Sequence, residues 1–325
     1  MKTNNRLLAV AFAAAFAAFS IIPAGAQAPA GKPKAGAAAK PAAAPVGFAS
    51  PEEAANALVA AVRAGDGKTI ARLMGPGSEE WLFTGDTVAD KAEWARFIAA
   101  YERKNAFERA GDAKATLVIG DDGWPFPAPL VKKGDRWNFD AAAGREEVIN
   151  RRVGRNELDT IQTLLAAVDA QREYAATDAD RNGFGDYARR FISTQGKKDG
   201  LYWPTKEGEP QSPLGPLVGE AAREGYGARF RQGQAEPYHG YFYRLLTAQG
   251  KDAPGGAYDY VVKDKLLGGF GIVAYPAKYG VSGVMTFIVN HDGVVHEKDL
   301  GTGTASAVAK MKLYNPDKSW KKAQQ

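Results

Sequence analysis

The nine residues "DADRNGFGD", Asp178 to Asp186, are spelled like the first half of a calcium loop. In a loop of EF-hand type, oxygen ligands stand at positions 1, 3 and 5, and glycine at position 6 allows the sharp turn. Asp178, Asp180, Asn182 and Gly183 fit those places, Phe184 offers a backbone carbonyl next, and Asp186 falls where a further ligand belongs. Calcium is therefore the one cofactor the sequence suggests. Arg189 stands where a bidentate Glu should close the site, which removes two ligand oxygens and adds a repelling charge. The alternative reading is a turn that ends a helix, with Asp and Asn bonding their own backbone. On sequence alone both readings stay open.

Other chemistries find less support. The three histidines are His239, His291 and His296, so nothing before residue 239 can use an imidazole base. "HEKDL", from His296, starts like a zinc-protease helix but lacks the second His four residues on and reads as a strand. The chain has no cysteine, no G-x-S-x-G elbow and no G-x-x-x-x-G-K-[ST] phosphate loop. Adjacent acids such as Glu79 and Glu80 or Asp121 and Asp122 point in different directions and read as solvated surface. A hydrolase built on carboxylates brought together from distant positions stays open as the alternative to a binding role. Aromatic side chains offer a second kind of site. Tyr202, Trp203, Tyr238 and Tyr241 could form a binding surface for a glycan or a protein, because such rings give rigid contact area with a polar edge. Core packing explains them equally well.

These residues need elements to position them, and the ends of the chain say which part folds. "MKTNNRLLAVAFAAAFAAFSIIPAGAQA" has a positive start, an apolar stretch from Leu7 to Ile22 and a small-residue site at Ala24 to Ala26. The expectation is a signal peptide over residues 1–26 and a periplasmic or extracellular, soluble mature protein that does not span the membrane. Residues 27–47 are almost wholly Ala, Pro, Gly and Lys, which reads as a flexible linker. Residues 1–47 carry five basic side chains and no acids, so the 42 basic and 37 acidic residues of the whole chain leave 37 of each beyond them. The sequence pI of about 9.1 therefore does not point to nucleic acid.

Ser50, Pro51 and Glu53 spell a capping box and first turn for a helix, followed by a short helix in "KTIARLMG" and a third from about Thr87 to Lys104. "KATLVIG" and "PAPLVKKGDRWNFD" read as strands, the latter a hairpin turning at Lys133 to Asp135. Asn156 is the expected cap of a helix whose stripe is Leu158, Ile161, Leu164, Leu165 and Val168, continued by Tyr174. Asp199 to Ala221 reads as an ordered loop without regular structure. Four strands within residues 240–299 follow, the last two joined at His291 to Gly293. The fold class is α+β, in two units: 48–150, helices with a small antiparallel meander, and 151–325, a long amphipathic helix with an antiparallel sheet.

The order of elements in the first unit resembles the cystatin/NTF2-like class. "RRVGRNEL", "AVDAQREYA", "DGLYWP", "SPLGPL", "GYFYRLL", "VAYPAKYGVSGVMTFIVN" and "HEKDLG" resemble, in the same order, the bacterial exported family catalogued as domain of unknown function 2950. That resemblance covers nearly the whole mature chain and implies no activity. The helix ending in "AQREY", the acidic loop and the meander ending in "GVMTFIVNHDGVV" are also similar to the globular head of type IV pilin-like proteins. A pilin's apolar stalk is missing, since the charged "REEVINRRVGRN" precedes the helix. The sequence thus leads to an exported envelope protein with a non-enzymatic binding or scaffolding role. Its partner would be an envelope protein or glycan, met by the 199–221 loop and the C-terminal sheet.

Overall fold

The computed structural model describes residues 46–227 and 236–324; the expected signal peptide and all but the last two residues of the linker lie outside them. Helix α1 (Pro51–Arg63) starts as its sequence dictates. Ser50 Oγ accepts the Glu53 N–H at 3.1 Å, while the Glu53 carboxylate reaches back to Ala49 N–H at 2.7 Å. Asp66 caps α2 (Gly67–Met74), α3 (Glu79–Leu82) is a single turn, and Asp86 caps α4 (Thr87–Arg103). Five strands follow: β1 (Asn105–Ala110), β2 (Lys114–Ile119), β3 (Trp124–Pro125), β4 (Leu130–Lys133) and β5 (Arg136–Phe139). They form one antiparallel sheet in the order β1-β2-β4-β5, with β3 on β2. Strand β1, "NAFERA", escapes sequence reading because five of its six residues are exposed and no apolar alternation marks it. Phe48 joins this layer by exchanging two 2.8 Å backbone hydrogen bonds with Trp137.

Helix α5 (Ala141–Thr177) is the spine of the molecule: 37 residues, about 55 Å at 1.5 Å per residue. It is capped by Asp140, not Asn156, and runs unbroken across residue 150. Its first half lies on the N-terminal sheet so closely that a Cβ on Gly144 would sit 2.8 Å from Ala128. Asn156 is buried mid-helix and donates its amide to Ser282 O at 2.8 Å. The sequence reading placed a helix start where the chain instead uses the same side chain as a tertiary clamp. Ile161, Leu164 and Val168 are buried as expected, but Leu158 is 63% exposed because it faces away from the sheet.

After α5 the chain forms α6 (Gly215–Glu224), which replaces the second part of the loop expected over Asp199 to Ala221. Pro216 in the first turn and Gly225 in the left-handed conformation after the last turn delimit it. Strands β6 (Tyr241–Leu246), β7 (Ala248–Gln249), β8 (Tyr258–Asp259), β9 (Val261–Val262), β10 (Lys265–Leu266), β11 (Gly271–Pro276), β12 (Met285–Asn290) and β13 (His296–Asp299) come next. Helix α7 (Thr304–Lys310), β14 (Leu313–Tyr314) and β15 (Lys321–Lys322) complete the chain. The main sheet runs β15-β13-β12-β11-β6, all antiparallel, and Asn290 to Gly293 makes the turn before β13. The apolar stripe of α5 packs on one face of this sheet, against Phe270, Ile272, Phe287 and Val289. Val308 of α7 and Tyr314 of β14 cover Val273 and Ile288 on the other. A separate core holds Leu58, Leu73, Met74, Leu130, Trp137 and Phe139. The fold is a mixed α+β arrangement, with helices and a meander first and a long helix with sheets after it.

Candidate functional site

The feature best suited to hold a ligand is a cavity of about 370 Å³ enclosed by α1, α2, α4, the first sheet and the early turns of α5. That volume is within the range of small-molecule pockets, about 300–1,000 Å³. Its interior follows from amphipathic patterning. Leu58 and Val62 of α1 and Ile70 and Met74 of α2 turn their buried faces inward. Across from them stand Trp94, Phe97 and Ala100 of α4, while Ile119, Phe126 and Ala128 come from the sheet and its β3–β4 connection. Phe97 and Phe126 meet at 5.4 Å between ring centroids, tilted by 56°, so the wall is held by aromatic packing. Leu58, Ile70, Met74, Trp81, Ile119 and Ala128 are each 4% exposed or less, so this apolar side of the cavity is buried.

The mouth has a different character. Arg96 of α4 and Arg151, Arg152 and Arg155 of α5 line it, with Glu93 the one acid among the lining residues. Glu93 Oε1 takes Arg96 Nη2 at 2.7 Å and also pairs with Arg155. Arg151 pairs with Glu147 one turn earlier, and its guanidinium lies over the ring of Trp124, 4.6 Å from the centroid. Trp124 is 39% exposed at this rim. Arg151 Nη1 is buried with no hydrogen-bond partner. Arg152 donates to Trp81 O at 2.7 Å. Burial pulls the Arg152 guanidinium below its ordinary pKa, opposed by the charge of Asp90. Asp90 in turn is pushed above the usual carboxylate range, first by burial and then partly restored by its bonds from Thr84 and by Arg152. Sequence reading missed these arginines. "RRVGR" carries the signal, since positions 151 and 155 lie one helical turn apart on one face. Only the closeness of the sheet shows which face that is.

The expected metal loop folds as a closed network. Asp178 has φ 42° and ends α5. Its carboxylate accepts the backbone N–H of Asn182 at 3.0 Å and of Gly183 at 3.1 Å. Asn182 Nδ2 donates to Asp180 Oδ2 at 2.6 Å and to Asp186 Oδ1 at 2.8 Å, and Lys265 Nζ stands 3.9 Å from that Asp186 oxygen. The four residues named from sequence do converge, with the Asn182 amide between two carboxylates. Among the described residues no group of three or more His, Cys, Asp or Glu is arranged to hold a metal ion.

The four aromatic residues do not form one patch. Tyr241 is 0% exposed, and its hydroxyl donates to Met285 O at 2.9 Å, so it belongs to the core and not to a binding surface. The alternation of β6 turns it inward, against Phe287. Tyr202 and Trp203 are half-buried around Leu201 and Leu214, and Trp203 packs edge-on against Tyr174 at 6.4 Å. Tyr238 lines a smaller cavity of about 170 Å³ with Leu217 and Val218 of α6 and Tyr226.

Between the two halves of the molecule the polar groups are satisfied internally. Asp86 Oδ1 takes the N–H groups of Val88 and Ala89, while Oδ2 takes Tyr226 OH and Gly240 N–H, both at 2.9 Å. Asp90 receives Thr84 Oγ1 at 2.9 Å and Thr84 N at 3.3 Å. Glu157 Oε1 accepts from the N–H groups of Val284 and Met285 at 2.9 Å. His239, with φ 48°, has Nδ1 3.7 Å from Asp159 Oδ2 and Nε2 3.7 Å from Glu224 Oε2. Both oxygens of Asp86 and of Asp90 are already on donors, and Glu157 is held through Oε1 by two backbone N–H groups, so these carboxylates serve to hold surfaces together. None of Asp86, Asp90 or Glu157 offers the opposed, open pair a carboxylate hydrolase needs.

Among the described residues no helix is long and apolar enough to cross a membrane. A model of the family described as "Protein of unknown function (DUF2950)" matches residues 46–323. No curated protein and no solved structure matches the chain.

Proposed function

The chain belongs to the DUF2950 family, and we propose that it works as a non-enzymatic binding module of the cell envelope, taking an apolar ligand into the cavity between α1, α2, α4 and the first sheet. One observation carries this reading: a cavity of about 370 Å³ with buried apolar walls on one side and four arginines, three of them 33–60% exposed, on the other. Apolar walls open to water stay hydrated, and a ligand with an apolar body would gain free energy by covering them. The N-terminal leader and linker would place the module outside the cytoplasm. The half-buried rings of Tyr202 and Trp203 then serve packing, and recognition of an envelope ligand falls to the cavity.

The direct test is titration of the purified chain with N-phenylnaphthylamine, a neutral dye that brightens in apolar surroundings. Saturable brightening is expected, reduced at least tenfold in affinity by Ala100→Phe, which fills the cavity from its α4 wall. Absence of saturable binding, or a dye that binds the folded Ala100→Phe protein equally well, would sink the reading.

A further inference from the structure

We infer that the ligand of this cavity is an amphipathic anion, an apolar chain carrying a carboxylate or phosphate head that docks on Arg151 and its neighbours. The inference rests on the binding reading above and adds the chemistry of the head group. Three observations point to it independently of the cavity's volume.

The first is charge. Four arginines and one glutamate line the site, and all the arginines are on the side of α4 and α5. Glu93 is shared between Arg96 and Arg155, and Glu147 is paired with Arg151, so two carboxylates offset part of the charge of four guanidinium groups and leave the site net positive. A cationic ligand would meet net repulsion at this mouth.

The second is an unmet donor. Arg151 gives its Nε to Glu147 and its side chain stays 33% exposed at the cavity, so the guanidinium keeps N–H groups to offer an incoming oxygen, while Nη1 itself is buried without an acceptor. A neutral alcohol supplies one weak acceptor, whereas a carboxylate or phosphate supplies the charged, bidentate geometry that matches a guanidinium fork.

The third is preorganisation. Stacking over Trp124 at 4.6 Å fixes the plane of the Arg151 guanidinium, so little side-chain freedom is left to lose on binding. Arg152, one residue on, is held by the carbonyl of the buried Trp81, which adds a second fixed cation to the lining. An apolar tail would lie against Phe97, Phe126 and Met74, whose thioether adapts to an irregular chain.

The test is displacement of bound N-phenylnaphthylamine from the full chain by ligands that share one tail: laurate, dodecyl phosphate, dodecanol and dodecyltrimethylammonium, with inorganic phosphate alone as the tail-free control. Laurate or dodecyl phosphate is expected to displace the dye at concentrations about tenfold lower than dodecanol, with the cation weakest and the preference shrinking as salt is raised. Whichever anion is tighter identifies the head group. Arg151→Met, which keeps the apolar stem, should erase the preference for the anions over dodecanol. Arg151→Lys, which keeps the charge but loses the planar fork, should fall between and serves as the folded control if the Met variant misfolds. Equal displacement by laurate and dodecanol would overturn the head-group inference while leaving the cavity reading intact. Binding of inorganic phosphate as tightly as dodecyl phosphate would also overturn it, because no tail would then be needed. Failure of the dye itself to bind would remove both readings together.

Discussion

The hydroxyl of Tyr226 donates to Asp86 Oδ2 at 2.9 Å, and the same oxygen takes the backbone N–H of Gly240. One carboxylate thus caps α4 and pins the connection between α6 and β6 to it, joining positions 140 residues apart. Tyr226→Phe removes this bond and also the acceptor of the His239 N–H, 3.3 Å away, and should cost about 1–2 kcal/mol. Asp86→Ala strands several donors at once and should cost about 3 kcal/mol or more, since cap loss and unmet buried donors combine. Urea unfolding of both variants checks the ranking. Equal, small losses would show that the junction is held by other contacts.

Asn156 separates two accounts of the same side chain. At a helix N-cap, Asn→Asp is neutral or favourable, because both accept backbone N–H groups. Buried mid-helix and donating to Ser282 O at 2.8 Å, Asn156 cannot become Asp without setting an acceptor against an acceptor. Asn156→Asp should therefore destabilise more than Asn156→Ala, by about 1–3 kcal/mol. A neutral Asn156→Asp in thermal unfolding would restore the cap account.

In the 178–186 loop, the Asn182 amide stands between Asp180 and Asp186, where it lessens their mutual repulsion. Asn182→Asp exchanges this donor for a further carboxylate. The variant should melt lower than the parent and recover on addition of millimolar calcium, while the parent's melting temperature stays within a degree or so. A parent that itself shifts with calcium would show that the cation displaces the amide.

His296 supplies a pH dependence. Burial lowers its pKa below the ordinary 6.5, and Lys322 adds to this, opposed by a bond involving Val294. The unfolded chain therefore binds a proton near pH 6.5 that the folded chain refuses, so this histidine's contribution is fully present above that pH. It is lost as pH falls through the lowered folded value. Stability should decline on acidification below about pH 6.5. His296→Gln should flatten that decline, and chemical unfolding of the two proteins at pH 7.5 and 5.5 would measure it. An unchanged slope in the variant would assign the acid sensitivity to other groups.

Local signals were legible wherever the interacting residues are a few positions apart. Ser50, Pro51 and Glu53 start α1, Lys133 to Asp135 turn β4 into β5, and Asn290 to Gly293 turn β12 toward β13, because each needs only a short stretch of backbone and its own side chains. The α+β class followed from the same periodicities. Tertiary packing decided the rest. It extended α5 back to Ala141, because Gly144 lets the helix approach Ala128 and nothing local needs Asn156 as a cap. It also turned Tyr241 inward and gathered Arg96, Arg151, Arg152 and Arg155 around an apolar chamber whose walls come from five separate helices and a sheet. A cavity and its charged mouth are properties of surfaces brought together across 100 residues. No window of sequence carries the distance between them, and that distance exists only once the core has formed.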